Sequence, residues 1–226
     1  MGETRSHLRA QRARNRTQPE PPVLPQWLFE TLRPAVGVLC NLLWSMRFTG
    51  TEHIPSEGGL LIAANHQTYI DPLWITYPIK RPLRYLAWDA AFSWPVIGPA
   101  IGFFGAWPLQ VEGTDPAPIR RSLQWLREGG AVVIFPEGGR GRPDGSMIKF
   151  KAGAVRIAIE AGVPILPVTI RGAHRVWPSS VRFPRLGQVD VVFHPPLMIE
   201  QRPEEDFRAC TQRETERLEQ IIRSAL

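Results

Sequence analysis

Three short apolar runs, each closed by polar or glycine residues and separated by helical patterns, restrict this chain more than anything else in it. They lie in "EGGLLIAANH" (57–66), "AVVIFPEGGRG" (131–141) and "VPILPVTIRG" (163–172). A run of four to eight apolar residues bounded by turn formers reads as a buried strand. Helical patterns alternate with these runs. In "DPAPIRRSLQWLREGG" (115–130), Asp115 can cap a helix with Pro116 at its first position, Ile119, Leu123 and Leu126 make one face, and Gly129 ends it. "GAVRIAIEAG" (153–162) is a second helix, "QVDVVFHPPL" (188–197) a strand with period-two alternation, and residues 203–226 an amphipathic helix anchored by Phe207, Leu218, Ile221 and Ile222. Strands alternating with helices predict an α/β fold with a mixed, mostly parallel sheet flanked by helices. With 226 residues, 43% of them hydrophobic, one domain over residues 49–226 has enough apolar material for its core.

The N-terminal part reads differently. Residues 1–26 carry Arg5, Arg9, Arg12, Arg14 and Arg16 against Glu3 and Glu20, followed by "PEPPVLP". Such a segment buries too little apolar area to offset its ordering entropy, which makes it a flexible basic tail, either solvated or drawn to anionic lipid. Residues 27–48, "WLFETLRPAVGVLCNLLWSMRF", form one helix or two joined at Pro34. The uncharged stretch between Arg33 and Arg47 is 13 residues, roughly 20 Å of helix against the roughly 30 Å of a hydrocarbon layer. The expectation is a helix lying in a membrane interface, with an ordinary core helix as the alternative. Residues 90–111 contain no charge, but Pro95, Pro99 and Pro108 with Gly98, Gly102 and Gly105 break any continuous helix there. That segment is expected to be buried or shallowly embedded, with lining a groove for an apolar chain as one use of it.

A formal charge of +6 and a pI near 10.0 call for an anionic partner, and eight tryptophans favour a membrane surface, where indole rings sit between apolar and wet surroundings. Nucleic acid is disfavoured, because the arginine tail has no interleaved aromatics. Cys40 and Cys210 form neither a disulfide framework nor a zinc motif. No apolar run follows the first positive charges, so the expected location is the cytoplasmic face of the cell membrane, peripheral or monotopic.

Two constellations carry chemistry. In "AANHQTYIDPLW" (63–74), Asp71 before Pro72 is an N-cap signature, and His66 stands at the end of a strand, five residues ahead. A turn of that length can bring the imidazole against the carboxylate, which would hold Nδ1–H and leave Nε2 to take a proton from a hydroxyl. In "FPEGGRG" (135–141), glycines after a strand let backbone N–H groups face an anion, Arg140 supplies a fork suited to a phosphate monoester, and Glu137 can pair with Arg140 or meet an acceptor hydroxyl. The alternative is a tight turn with a solvated arginine. "IKFKAGA" (148–154) adds Lys149 and Lys151.

Taken in order over residues 50–172, these blocks resemble the 1-acylglycerol-3-phosphate acyltransferase family: His66 and Asp71 match its H-x4-D block, "FPEGGR" its FPEG-[T/S]-R block, "FKAGA" its FK-x-G element and "VPILPV" its late strand. The resemblance implies that His66 deprotonates the free hydroxyl of a lysophosphatidic acid and that Asp71 orients it. It implies that Arg140 and Lys151, with the loop around Gly138, hold the acceptor's phosphate, beside Glu137. Acyl-coenzyme A or acyl-acyl carrier protein is the implied co-substrate, with no further cofactor and no metal. Two departures bear on the acceptor. Gln110 and Val111 stand where the family has a basic residue, and Gly139 replaces a Thr or Ser. Another lysolipid or alcohol acceptor, or a lipid-binding protein of this fold without turnover, is the alternative. No G-x-S-x-G occurs, which disfavours a serine hydrolase.

Overall fold

A computed structural model of the chain describes residues 25–95, 97–110, 115–177, 181 and 183–226. The basic tail predicted over 1–26 falls almost wholly outside them. In chain order the elements are α1 (Gln26–Trp44), β1 (Arg47–Thr49), β2 (Leu60–Ala64), α2 (Asp71–Thr76), β3 (Leu83–Trp88), α3 (Ile97–Phe103), β4 (Ala106–Leu109), α4 (Ala117–Arg127), β5 (Ala131–Ile134), α5 (Gly153–Ala161), β6 (Ile165–Arg171), α6 (Ala173–Val176), β7 (Asp190–Phe193) and α7 (Phe207–Arg223).

The three apolar runs become three neighbouring strands at the middle of a seven-stranded sheet of order β1-β7-β6-β2-β5-β3-β4. Every residue of β2 and β5 is buried, as expected for strands covered on both faces. β2 pairs parallel with β5, Leu60 opposite Ala131, and with β6, Leu61 opposite Ile165. Among the named strands only β6 and β7 pair antiparallel, Val168 opposite Phe193. The C-terminal ends of β2, β5 and β6 therefore lie together, and that end carries the site. Pro108 sits in β4, an edge strand, where a missing N–H costs no central ladder bond.

Two apolar layers cover the sheet. One joins α1 and α2 to Leu60, Ile62, Leu166 and Val168; the other joins α4, α5 and α7 to Leu61, Ala63, Val132 and Ile165. The alternation of faces follows from the strand period of two. α1 runs unbroken through Pro34 and docks through Trp44, whose ring meets Trp74 edge-on at 5.5 Å; such a pair adds about 0.5–1.5 kcal/mol beyond its buried area. Gly37 permits the approach, because a Cβ there would overlap the Tyr77 ring.

Several expectations need correction. The predicted 27–48 helix stops at Trp44, and Arg47 and Phe48 belong to β1, paired with β7. Phe207 is 43% exposed and anchors nothing, while Cys210, Leu218 and Ile222 carry the buried face of α7. The uncharged 90–111 stretch, by contrast, is broken as expected: its described residues form the end of a 3-10 turn (Asp89–Ser93), then α3 and β4.

Candidate active site

At the end of β2, buried Asn65 continues the strand pairing with its side chain: Nδ2 donates to Ile170 O at 2.8 Å and Oδ1 accepts from Ile170 N at 2.7 Å. His66 is thereby delivered at the C-terminal edge of the sheet. Its ring is partly exposed, 18% of the side chain, and stacks on Phe135 at 4.1 Å.

His66 Nδ1 lies 2.9 Å from Asp71 Oδ2. Asp71 is fully buried and also accepts from the backbone N–H groups of Gln67 and Thr68, and from the Thr68 hydroxyl at 2.7 Å. Three donors besides the ring converge on its two oxygens, so the carboxylate serves as an acceptor throughout. Nδ1 must then carry the proton, and Nε2 keeps its lone pair. The predicted capping role is corrected here. α2 has Ile70 at its N-cap with no side-chain cap; the Asp71 carboxylate turns back onto residues 66–68, because three donors of that loop and the imidazole meet it there. Pro72 keeps its place in the first turn.

Glu137 also departs from expectation. Among the described residues it is not paired with Arg140. It is buried, its Oε1 accepts from His66 N at 2.8 Å and its Oε2 from Ile148 N at 2.7 Å. Burial pushes its carboxyl above the ordinary range, with the Ile148 and His66 N–H bonds pulling the other way. Gly141 N donates to His66 O at 2.6 Å. Both backbone groups of His66 are thus held by the loop that follows β5.

The basic residues sit outside this clamp. The Arg140 guanidinium rests 4.0 Å over the Tyr69 ring. Lys151 is exposed, bonds Pro136 O through its backbone N–H at 2.8 Å, and folds its ammonium over Gly138, where a Cβ would stand 2.7 Å from Nζ. Gly138 adopts φ 69°, and its N–H closes a turn onto Phe135 O, so that amide does not face outward as the glycine-cradle reading expects. Among the described residues, neither Arg140 nor Lys151 is paired with a carboxylate. Gly139 has open space at its Cβ position, Gln110 is exposed just after β4, and Val111 lies outside the described residues.

Sequence reasoning passed over Tyr69, Thr68, Asn65 and Gln67. Gln67 donates to Gly145 O at 3.1 Å and accepts from His174 N at 3.2 Å, tying the His66 loop to two further segments. Thr68 carried a signal, a hydroxyl three residues before the aspartate in a turn; Tyr69 carried none.

A polarised imidazole beside unpaired cations, at the carboxyl ends of parallel strands, is the equipment of a group-transfer site for anionic substrates. A family model described as Acyltransferase matches residues 45–171, more than half of the chain. The chain belongs to the acyltransferase family. It is 31% identical over 154 residues to the chloroplastic 1-acyl-sn-glycerol-3-phosphate acyltransferase BAT2 of Brassica napus, covering 66% of this chain and 44% of that one. It is 28% identical to the 1-acyl-sn-glycerol-3-phosphate acyltransferase of Bacillus subtilis, covering 72% and 79%. The chain spans about half the length of the plant and algal relatives it matches, 44% to 54%. The crystal structure of the 1-acyl-sn-glycerophosphate acyltransferase PlsC of Thermotoga maritima shares the fold, with a TM-score of 0.73 at 22% identity over 88% of this chain and 78% of that one.

Proposed function

We propose that this protein moves a fatty acyl group from an acyl thioester, carried by coenzyme A or acyl carrier protein, to the free hydroxyl of lysophosphatidic acid, giving phosphatidic acid. The observation that carries the reading is the His66–Asp71 pair, Nδ1 at 2.9 Å from a buried carboxylate, beside two cations without carboxylate partners among the described residues. The relatives' printed activity supports the acceptor.

In this reading Nε2 of His66 takes the acceptor's hydroxyl proton as the oxygen attacks the thioester carbonyl. The imidazolium so formed is stabilised by the Asp71 carboxylate, which stays ionised throughout. Collapse of the tetrahedral adduct breaks the C–S bond, and the proton on Nε2 leaves with the thiolate as free thiol. Arg140 and Lys151 hold the phosphate, Arg140 through its planar fork. Glu137 holds the backbone of His66 in place.

The substrates are amphiphiles, and α1 offers a surface for their membrane. Its inner residues Cys40 and Trp44 are buried, whereas Trp27 is 68% and Leu42 76% exposed, with Leu32, Val38 and Leu39 also open. Among the described residues no helix is long and apolar enough to cross a membrane. A helix lying in the interface of an anionic bilayer at its cytoplasmic face fits this pattern.

The test is thiol release by purified protein given lysophosphatidic acid with acyl-coenzyme A or acyl-acyl carrier protein. His66→Ala is expected to lose about 100- to 10,000-fold in turnover while melting normally. Turnover at the wild-type rate in that variant rules the mechanism out.

A further inference from the structure

We infer that Tyr69 is a positioning residue for the acceptor's charged end, holding the Arg140 guanidinium so that the base and the phosphate fork share one frame of reference. This rests on the reading of Arg140 as a phosphate contact.

The observations are geometric. The Arg140 guanidinium carbon stands 4.0 Å from the Tyr69 ring centre, inside the range at which a cation is drawn to an aromatic face. Tyr69 is itself braced: Trp94 meets its ring edge-on at 5.4 Å and 82°, and Trp88 meets Trp94 at 6.2 Å and 89°. The Tyr69 ring so held offers a face to the cation. Tyr69 is 46% exposed and Arg140 is partly exposed, so an arriving phosphate can reach the guanidinium from solvent. The backbone leading into Tyr69 is fixed by Asp71, which accepts from Gln67 N and Thr68 N and bonds His66 Nδ1. One buried carboxylate therefore sets the place of the imidazole and, through the tyrosine ring, the place of the fork on the neighbouring loop.

An arginine on a glycine-rich loop samples many rotamers, and ordering it on substrate binding weakens affinity. A guanidinium already laid on a ring has fewer to lose, and its N–H edges stay free in the plane of the fork. The consequence belongs to acceptor binding and not to the proton transfer. Tyr69 supplies a ring face; its hydroxyl is not required.

The test uses the full chain, with micellar lysophosphatidic acid and acyl-coenzyme A, and reads KM for the acceptor separately from kcat. Tyr69→Leu is expected to raise that KM about two- to fivefold at constant kcat. Tyr69→Phe restores it, and Tyr69→Met serves where the leucine variant does not fold. In an Arg140→Ala background, itself raised in KM, Tyr69→Leu adds nothing further. An equal increment from Tyr69→Leu in both backgrounds, a fall in kcat at constant KM, or no change at all overturns the inference. Arg140→Ala with an unaltered KM overturns the phosphate reading beneath it, which is a separate outcome.

Discussion

The loops that follow β2 and β5 stand side by side at one end of the sheet and are built in opposite ways. In the first, the polar groups are shared and the carboxylate is buried: Asp71 takes four donors, and His66 is clamped through its ring and its backbone. In the second, Arg140 and Lys151 reach out on long stems, one over a ring face and one over a glycine. In the proposed reaction, the group whose direction decides proton transfer is over-determined, and the groups proposed to meet a charged headgroup are left reachable. The two acidic residues of the site, Asp71 and Glu137, are both buried and both act as acceptors, yet they do different things. Asp71 touches the imidazole ring, and Glu137 touches only backbone.

The sharpest way to break this contrast is to remove each charge while keeping the shape. In Asp71→Asn, the amide nitrogen can take the Oδ1 position facing the Thr68 hydroxyl, which can turn to accept, while the remaining oxygen keeps its three donors at Oδ2. The fold should survive, and kcat should fall by about 100- to 10,000-fold because the imidazolium loses its counter-charge. Equal kcat in wild type and variant would show that the charge is irrelevant.

Glu137→Gln should invert that result. Both carboxylate oxygens meet backbone N–H groups that cannot turn round, so one amide hydrogen must face another. The expected cost is about 1–3 kcal/mol in denaturant unfolding, with both loops loosened. A fully stable variant would mean that the glutamate is not the strut described here.

The smallest effect tests the side of the sheet that α7 covers, at β6 and β7. His194 Nε2 lies 2.8 Å from Thr169 Oγ1, which donates to Ile222 O and so can only accept from the ring. Burial, aided by nearby His53, lowers its pKa from the ordinary 6.5. The unfolded chain therefore binds this proton at higher pH than the folded one, so stability rises with pH between the lowered value and 6.5 and falls on acidification below 6.5. A pH series of melting midpoints should show a shallower acid slope in His194→Gln. An identical slope would exclude this group as the source.

Much of this was readable in the chain. β2, β5 and β6 announce themselves because strands covered on both faces must be apolar throughout, and His66 and Asp71 stand close enough in sequence for a turn to join them. What stayed hidden depends on contacts between distant segments. β1 is three residues long and exists because Arg47–Thr49 finds Asp190–Val192, a pairing no local pattern encodes. The backbone bonds of Glu137 were hidden because they come from His66, 71 residues away, and from Ile148 beyond the glycine turn. The Tyr69–Arg140 stack crosses two loops, and its aromatic member gave no sign in the sequence. Phe207 looked like an anchor by spacing, but α7 begins there, beyond the edge of the layer it covers.

The tautomer of one ring decides whether the base is arranged as described. Nitrogen-15 NMR of histidine-labelled protein, with His66 assigned by its absence from His66→Gln, should show the neutral imidazole carrying its hydrogen on Nδ1 and a bare Nε2. A hydrogen on Nε2, with Nδ1 unprotonated against Asp71, would contradict the account.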